Sequence, residues 1–189
     1  MDPAAQYFAD SGAVNTADVL RLVATRAAAG GIRTVVVPST TGATAVAAAN
    51  ALPGLRIVVM THEAGFAQDG QQEFPVEIRR TLEAQGIAVH TVTHAFGGLS
   101  RAMRNKFNTH VIGEIIANTL RIFGQGMKVA VEITLMAADC GAVGTDELVI
   151  AMGGSDRGVD TAIVCAPVNT QRFFDLRVQE ILCTPRVRA

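Results

Sequence analysis

The chain has 189 residues, of which 49% are hydrophobic and 17% are charged, and its formal net charge is −1. This composition excludes a disordered chain, and the near-neutral charge argues against bulk binding to nucleic acid or to a membrane surface. We expect a single domain over residues 1–189. Residues 1–10 lack the basic and apolar parts of a signal peptide, and no apolar run is long enough to span a membrane. The sequence therefore predicts a cytoplasmic protein without a nucleic-acid or membrane partner.

The first half of the chain alternates helical and strand-like segments. The expected elements are helices over 17–29, 41–51 and 75–85 and strands over 32–37, 55–61 and 87–93. The strands are continuously apolar, as is typical of strands that are covered by helices on both faces. Because this alternation builds right-handed βαβ units, we expect these three strands to be parallel.

The second half is expected to contain helices over 97–107 and 110–123 and strands over 148–152, 161–166 and 178–183. The segment 127–139 suits either a strand or a buried helix, and its length favours a helix. The link between residues 152 and 161 is too short for a helical crossover, so the strands that it joins should be antiparallel. The predicted fold is a three-layer α/β/α sandwich with a mixed, mostly parallel sheet and an antiparallel edge strand.

A hydroxyl-rich loop follows the first predicted strand and precedes an alanine-rich helix. It contains Ser39, Thr40, Thr41, Gly42 and Thr44. Its hydroxyl groups, together with the free N–H groups and positive dipole end of the helix, would suit a phosphate. Glycine would allow the backbone to approach the anion closely. The loop has no lysine and therefore is not a nucleoside-triphosphate P-loop. An ordinary capped turn is the alternative.

Candidate functional side chains also follow the other predicted strands, at the edge where loops of a parallel sheet bind ligands. His62 and His94 each follow a strand, and with Glu63 they are weak candidates for acid–base catalysis. Ser100 and Arg101 begin a basic helix near the same edge and could contact a phosphate. The alternative for each is an ordinary surface or structural residue, so the catalytic residues remain unknown.

A glycine-rich turn lies between two of the last strands. Gly153 and Gly154 would let a flat ring approach the backbone, and Arg157 could face a phosphate or a ring. The alternative is a hairpin turn with a solvated arginine. No spacing of cysteine, histidine and acidic residues fits a metal site. The three cysteines are odd in number and far apart, which favours free thiols.

Several segments together carry a resemblance to a known family. They are 36–45, Thr61-His62 with Gly65-Phe66, Ser100-Arg101, 128–141 and 153–162. In these segments the chain resembles stand-alone proteins related to the C-terminal α/β domain of pyruvate kinase. The kinase's hydroxyl loop binds a phosphate of an allosteric sugar bisphosphate, and the stand-alone proteins are associated with flavin mononucleotide (FMN). Ala43 stands where the kinase loop commonly has a basic residue, which implies a less charged phosphate site.

The expected function is therefore binding of a phosphorylated small molecule, with FMN as the suspected cofactor. The resemblance places the phosphate at Ser39 to Thr44 and the ring between the 62–66 and 153–157 loops. Two alternatives stay open: a non-enzymatic sensor of a sugar phosphate or nucleotide, and a hydrolase or isomerase acting on a phosphorylated metabolite. Whether the protein is an enzyme is not decided. A homo-oligomer interface on the helix over 127–139 and on the final strand is a further hypothesis.

Overall fold

A computed structural model describes residues 4–186, so the domain predicted over residues 1–189 extends three residues beyond the described part at each end. The strands are β1 Gln6–Phe8, β2 Thr34–Pro38, β3 Arg56–Met60, β4 Ala88–His90, β5 Val149–Gly153, β6 Thr161–Ala166 and β7 Arg177–Pro185. The helices are α1 Thr16–Ala28, α2 Ala43–Ala51, α3 Val76–Ala84, α4 Gly98–Phe107, α5 Ile112–Arg121 and α6 Gln125–Asp139. Short 3-10 helices span Ala13–Asn15 and Thr170–Asp175.

Within the described residues all strands join one sheet, in the order β1-β7-β6-β5-β2-β3-β4. The strands β5, β2, β3 and β4 are mutually parallel, and β1 is parallel to β7. Only β6 runs against its neighbours β5 and β7. This confirms the mixed, mostly parallel sheet with antiparallel pairing toward one side. β6 is the third strand from that edge of the sheet, because β7 and the unpredicted strand β1 lie outside it.

Both faces of the sheet are buried, which explains why its central strands are continuously apolar. On β2, Val35 and Val37 belong to one core cluster, which also contains side chains of α1, α2 and α3. Val36, between them, belongs to the cluster on the opposite face, which is dominated by α6. Successive strand side chains point to opposite faces, so each face needs its own apolar residues. The predicted three layers are thus confirmed.

The segment 127–139 is a helix, as predicted, and α6 begins two residues earlier, at Gln125. Most of its residues are buried against the sheet and α5 within this one chain. This helix therefore exposes little apolar surface that could form the hypothesised oligomer interface. Large exposed apolar side chains occur instead on α4 and α5, among them Leu99, Phe107, Ile112 and Ile115.

Some boundaries differ from the predicted ones. The helix after the hydroxyl loop begins at Ala43 rather than at residue 41, because Gly42 takes a left-handed conformation at its N-cap. The strand β1 was missed because it has only three residues and no clear alternation. Among the helices that the structure describes, none is both long and apolar enough to cross a membrane.

Candidate functional site

The loops that follow β2, β3, β4 and β5 meet at one edge of the sheet and enclose a cleft with two parts. The first part, the hydroxyl compartment, has a volume of about 640 Å³ and is lined by residues including Ser39, Thr40, Thr41, Thr44 and Arg157. The second part, the cationic compartment, has a volume of about 250 Å³ and is lined by residues including Arg101, Arg104, Arg121 and Lys128. The two parts share Pro38, Ser39, Thr40, His62, Phe66, Gln125 and Val129.

The hydroxyl loop places polar groups around the start of α2. Ser39 is buried, and its hydroxyl oxygen accepts a hydrogen bond of 3.3 Å from the Ala45 backbone N–H. It thereby satisfies one of the first-turn N–H groups of the helix. The amides of Ala43 and Thr44 have no acceptor within the helix, because the first N–H groups of any helix lack one. Ala43 and Thr44, together with Thr40 and Thr41 of the preceding loop, line the hydroxyl compartment.

Gly42 has a conformational and packing role at the helix start. Its φ of 89° lies in the left-handed region that side chains disfavour. A Cβ atom at this position would also lie 2.8 Å from the side chain of Ile78 on α3. The sequence suggested that glycine serves close approach to an anion. The structure adds a reason that is independent of any ligand, since a Cβ here would force the Ile78 side chain to shift.

His62 is held between the two compartments by a carboxylate and a hydroxyl. Its Nδ1 lies 2.8 Å from Oε2 of Glu73, and its Nε2 lies 3.3 Å from Oγ1 of Thr40. A carboxylate on one ring nitrogen fixes the orientation of the ring, so the other nitrogen is aimed at the hydroxyl loop. Glu63, the neighbour in sequence, does not contact this ring and instead pairs with His94. The sequence carried no signal for Glu73.

His94 is more deeply buried than His62. Its Nδ1 lies 3.4 Å from Oε1 of Glu63, an ion-pair distance without hydrogen-bond geometry. Burial lowers the pKa of His94, and the nearby carboxylates of Glu132 and Glu63 offset this only in part. Neutral imidazole is therefore the favoured form.

Phe66 forms the centre of an aromatic group in the cleft. Its ring centroid lies 4.0 Å from that of His62 and 5.0 Å from that of His94. The guanidinium carbon of Arg101 lies 4.1 Å from the centroid of the same ring, a cation–π contact. The three rings are tilted by 34° to 65° relative to one another, and His62 and Phe66 lie where the two compartments join.

The cationic compartment contains two carboxylates that are already neutralised. Glu132 pairs with Lys128 one helical turn away, and it also accepts a hydrogen bond of 3.0 Å from the Phe96 backbone N–H. Glu114 pairs with Arg104 at 2.7 Å and with His110 at 3.2 Å. Lys128 is thus the charged partner of buried Glu132.

The far wall of the hydroxyl compartment is the turn between β5 and β6. Buried Asp160 shapes this turn: its carboxylate accepts hydrogen bonds from the backbone N–H groups of Gly12 and Ser155 and from the Thr161 hydroxyl. Arg157 is exposed on the same turn and lines the compartment. A carboxylate with three donors satisfies its lone pairs without a cation, so the turn is well ordered by contacts within the chain.

Residues 17–165 match the family model described as pyruvate kinase, alpha/beta domain. The chain belongs to this family. The match runs from α1 to β6, so it includes the hydroxyl loop, the histidines and the cations of both compartments. The family match confirms the α/β fold class.

Most of the predicted cofactor-binding residues border the cleft. Those that line a compartment are Ser39, Thr40, Thr41, Thr44, His62, Phe66, Arg101, Gly154 and Arg157. Gly42 adjoins it at the start of α2. Gly65 lies in a turn where its N–H donates to the Gln71 carbonyl, and Ser100 packs against Gly113 of α5.

Gly153 also has a packing role. The position that its Cβ would take is filled by the backbone carbonyl of Gly126 on α6. The space beside Gly154 is likewise filled, by the carbonyl of Gly158, although Gly154 still borders the hydroxyl compartment. The two glycines thus permit close approach of backbone to backbone at these positions.

Proposed function

We propose that this chain binds a phosphorylated small molecule, with its phosphate at the hydroxyl loop. The observation that carries the proposal is the composition of the hydroxyl compartment. Three threonines, the first residues of α2 and Arg157 all line this compartment. Backbone N–H groups at a helix start and an arginine are the groups that proteins use to bind phosphate.

FMN is the phosphorylated molecule that we propose for this site. A volume of about 640 Å³ lies within the range of small-molecule pockets, roughly 300–1,000 Å³. Phe66 and His62 provide an aromatic wall for a flat ring, and the hydroxyl loop provides a phosphate site beside it. These residues fit a flavin phosphate in chemical type. When bound, a flavin would supply hydride or electron transfer, and the protein would orient it and control the access of water.

The first experiment is an absorption spectrum of the freshly purified protein, followed by titration with FMN and riboflavin. Preference for FMN would show that the phosphate contributes to binding. Replacing Thr41 and Thr44 together by alanine should weaken FMN binding at least about tenfold, because charge-assisted hydrogen bonds are lost. Thr81→Ala is the matched control, since Thr81 is exposed on α3 and its hydroxyl donates to the Glu77 carbonyl of the same helix. Unchanged affinity in the double variant would exclude this phosphate site.

A hydrolase or isomerase acting on a phosphorylated metabolite is the second candidate. It is favoured by the contacts of His62, whose ring is oriented by Glu73 and aimed at Thr40. An imidazole held in this way can take a proton from a water molecule or a ligand hydroxyl. His62→Ala should then abolish turnover while ligand binding persists. His90→Ala is the control, because His90 lies on β4 and lines neither compartment, and it should leave turnover intact. Ligand-dependent stabilisation without turnover on any phosphorylated compound would favour the sensor instead.

A further inference from the structure

One face of α5 is apolar although it points away from the rest of the protein. The opposite, inward face packs against the core through Ile116, Ala117 and Leu120. The outward face carries four exposed residues at helical spacing, which we call the outward stripe: Ile112, Ile115, Thr119 and Ile122. Within residues 4–186 no element of the chain covers this stripe. A helix that is apolar on two opposite faces is typically buried on both sides, so we expect another molecule to cover the outward stripe.

The apolar surface continues from Ile122 into a groove beside the edge of the sheet. Three further large apolar side chains line this groove: Tyr7, Phe123 and Ile181. These three and the three isoleucines of the outward stripe are each between 37% and 69% exposed. At roughly 150–200 Å² for a side chain of this size, the six expose on the order of 500–700 Å². This area reaches the largest apolar patch of a typical monomer, roughly 300–600 Å², and approaches the roughly 800 Å² that each partner buries in a stable protein interface.

The charges around the outward stripe favour a protein partner over a lipid surface. The stripe contains no charged side chain, and charged residues are depleted at the centre of protein interfaces. Helices that lie on membranes instead carry many lysines and arginines beside their apolar face. The single cation of α5 is Arg121, which lines the cleft and donates hydrogen bonds to Gln125 and Asn118. It therefore lies on a different side of the helix from the stripe.

The outward stripe is symmetric along the helix. The mean of positions 112 and 122 is 117, and the mean of positions 115 and 119 is also 117. If two copies of α5 pack antiparallel about a two-fold axis at this level, Ile112 contacts Ile122 of the partner subunit. Ile115 then contacts Thr119 of the partner subunit. A two-fold interface uses the same surface twice and must be complementary to itself, and an antiparallel pair also brings opposite helix-dipole ends together.

We infer that the outward stripe is the interface of a two-fold dimer, formed with a second copy of this chain. The dimer does not require a ligand, because none of the four stripe residues lines either compartment of the cleft. It places the subunit contact on α5 rather than on α6. Ile181 of the final strand borders the same apolar surface through the groove, so β7 contributes to the edge of the interface.

Sedimentation velocity of the full chain tests the dimer, over roughly 1–100 µM because dimerisation depends on concentration. The variants are Ile115→Glu and Thr119→Lys, measured separately and as an equimolar mixture. Thr119→Lys replaces an exposed polar residue and therefore keeps the test valid even if Ile115→Glu does not fold. The matched control is Val76→Glu on α3, on the opposite face of the sheet, because Val76 is 55% exposed and Ile115 is 54% exposed. Circular dichroism checks that each variant is folded.

Wild-type protein should sediment as a dimer, with twice the 19.8 kDa mass of one chain and a dissociation constant in the micromolar range or tighter. Ile115→Glu should weaken the dimer at least about a hundredfold, because each copy then buries an unpaired carboxylate, and Thr119→Lys at least about tenfold. Val76→Glu should have no effect. The mixture should associate more tightly than either variant alone, because one subunit's new carboxylate faces the other's new ammonium group.

A wild-type protein that stays monomeric at the highest concentration would overturn the inference. If that monomer co-sediments with phosphatidylcholine vesicles containing phosphatidylserine, the apolar face binds a membrane instead. A dimer that survives both Ile115→Glu and Thr119→Lys would show that the subunits meet elsewhere. A mixture no tighter than its two components would refute the antiparallel pairing of Ile115 with Thr119 of the partner subunit.

Discussion

The buried ion pair between Lys128 and Glu132 allows a quantitative test of how the cleft is stabilised. The Lys128 side chain is 12% exposed and that of Glu132 only 3%. Lys128→Met keeps the length and most of the volume of the side chain, so it creates little new cavity. It leaves Glu132 charged and buried, with the Phe96 N–H as its remaining partner. Removing one partner of a buried pair costs about 3–5 kcal/mol.

The adjoining cavity places the expected cost at the lower end of that range. Water in the cationic compartment can approach Glu132 and recover part of the lost solvation. We therefore expect Lys128→Met to lower the free energy of unfolding by about 3 kcal/mol, or the melting temperature by about 6–12 °C for a chain of this size. Glu132→Gln should cost less, about 1–2 kcal/mol, because the amide oxygen still accepts from Phe96 and Lys128 can turn toward water.

The double variant provides the decisive comparison. With both charges removed, no unpaired ion remains buried, so its cost should be smaller than the sum of the two single costs. Urea denaturation followed by circular dichroism measures all three. The control is Arg21→Met, which breaks the exposed pair with Asp18 and should cost less than about 1 kcal/mol. A cost below 1 kcal/mol for Lys128→Met, or strict additivity in the double variant, would refute the electrostatic account.

Three further predictions concern pH, packing and thiol chemistry. Burial lowers the folded-state pKa of His94 below its ordinary 6.5, so the free energy of unfolding should be highest above pH 6.5 and should fall as the pH drops below that value. His94→Asn should reduce this loss in denaturation curves recorded between pH 8 and 5. Gly153→Ala should destabilise the fold by more than about 3 kcal/mol in urea denaturation, because the new methyl group would overlap the Gly126 carbonyl. The control is Gly141→Ala, where the methyl group meets open space and the positive φ alone should cost about 1–2 kcal/mol. Burial raises the pKa of the Cys165 thiol to about 11, so Ellman's reagent at pH 8 should modify partly exposed Cys140 first and reach Cys165 only on unfolding.

The elements of the fold could be predicted from local patterns where those patterns were long. The apolar run of β2 and the helix α1 each carried their own signal, and their bounds agree within two residues. The short link before β6 predicted antiparallel pairing because no helix fits in it. β1 was missed because three residues hold too little periodicity. Its place beside β7 is decided by tertiary pairing rather than by its own sequence.

Part of the candidate site could also be predicted, namely the part whose residues are contiguous in sequence. The hydroxyl loop is contiguous, so Ser39 to Thr44 were recognisable from sequence order alone. Glu73 was not, because it lies 11 residues after His62 in a loop with no regular period. Arg121 and Lys128 were missed because they belong to different helices, whose amphipathic patterns say which face is buried but not which cavity a cation borders. Only the packing of α5 and α6 brings them together.

The two glycines at the crossing of α6 and β5 link the stability of the fold to the shape of the cleft. Gly153 and Gly126 let the helix backbone rest directly on the strand, which fixes where α6 begins. Gln125, one residue earlier, and Val129 border both compartments. A larger side chain at the crossing would therefore displace the wall that the compartments share. Substitution of Gly153 should therefore change folding and ligand binding together.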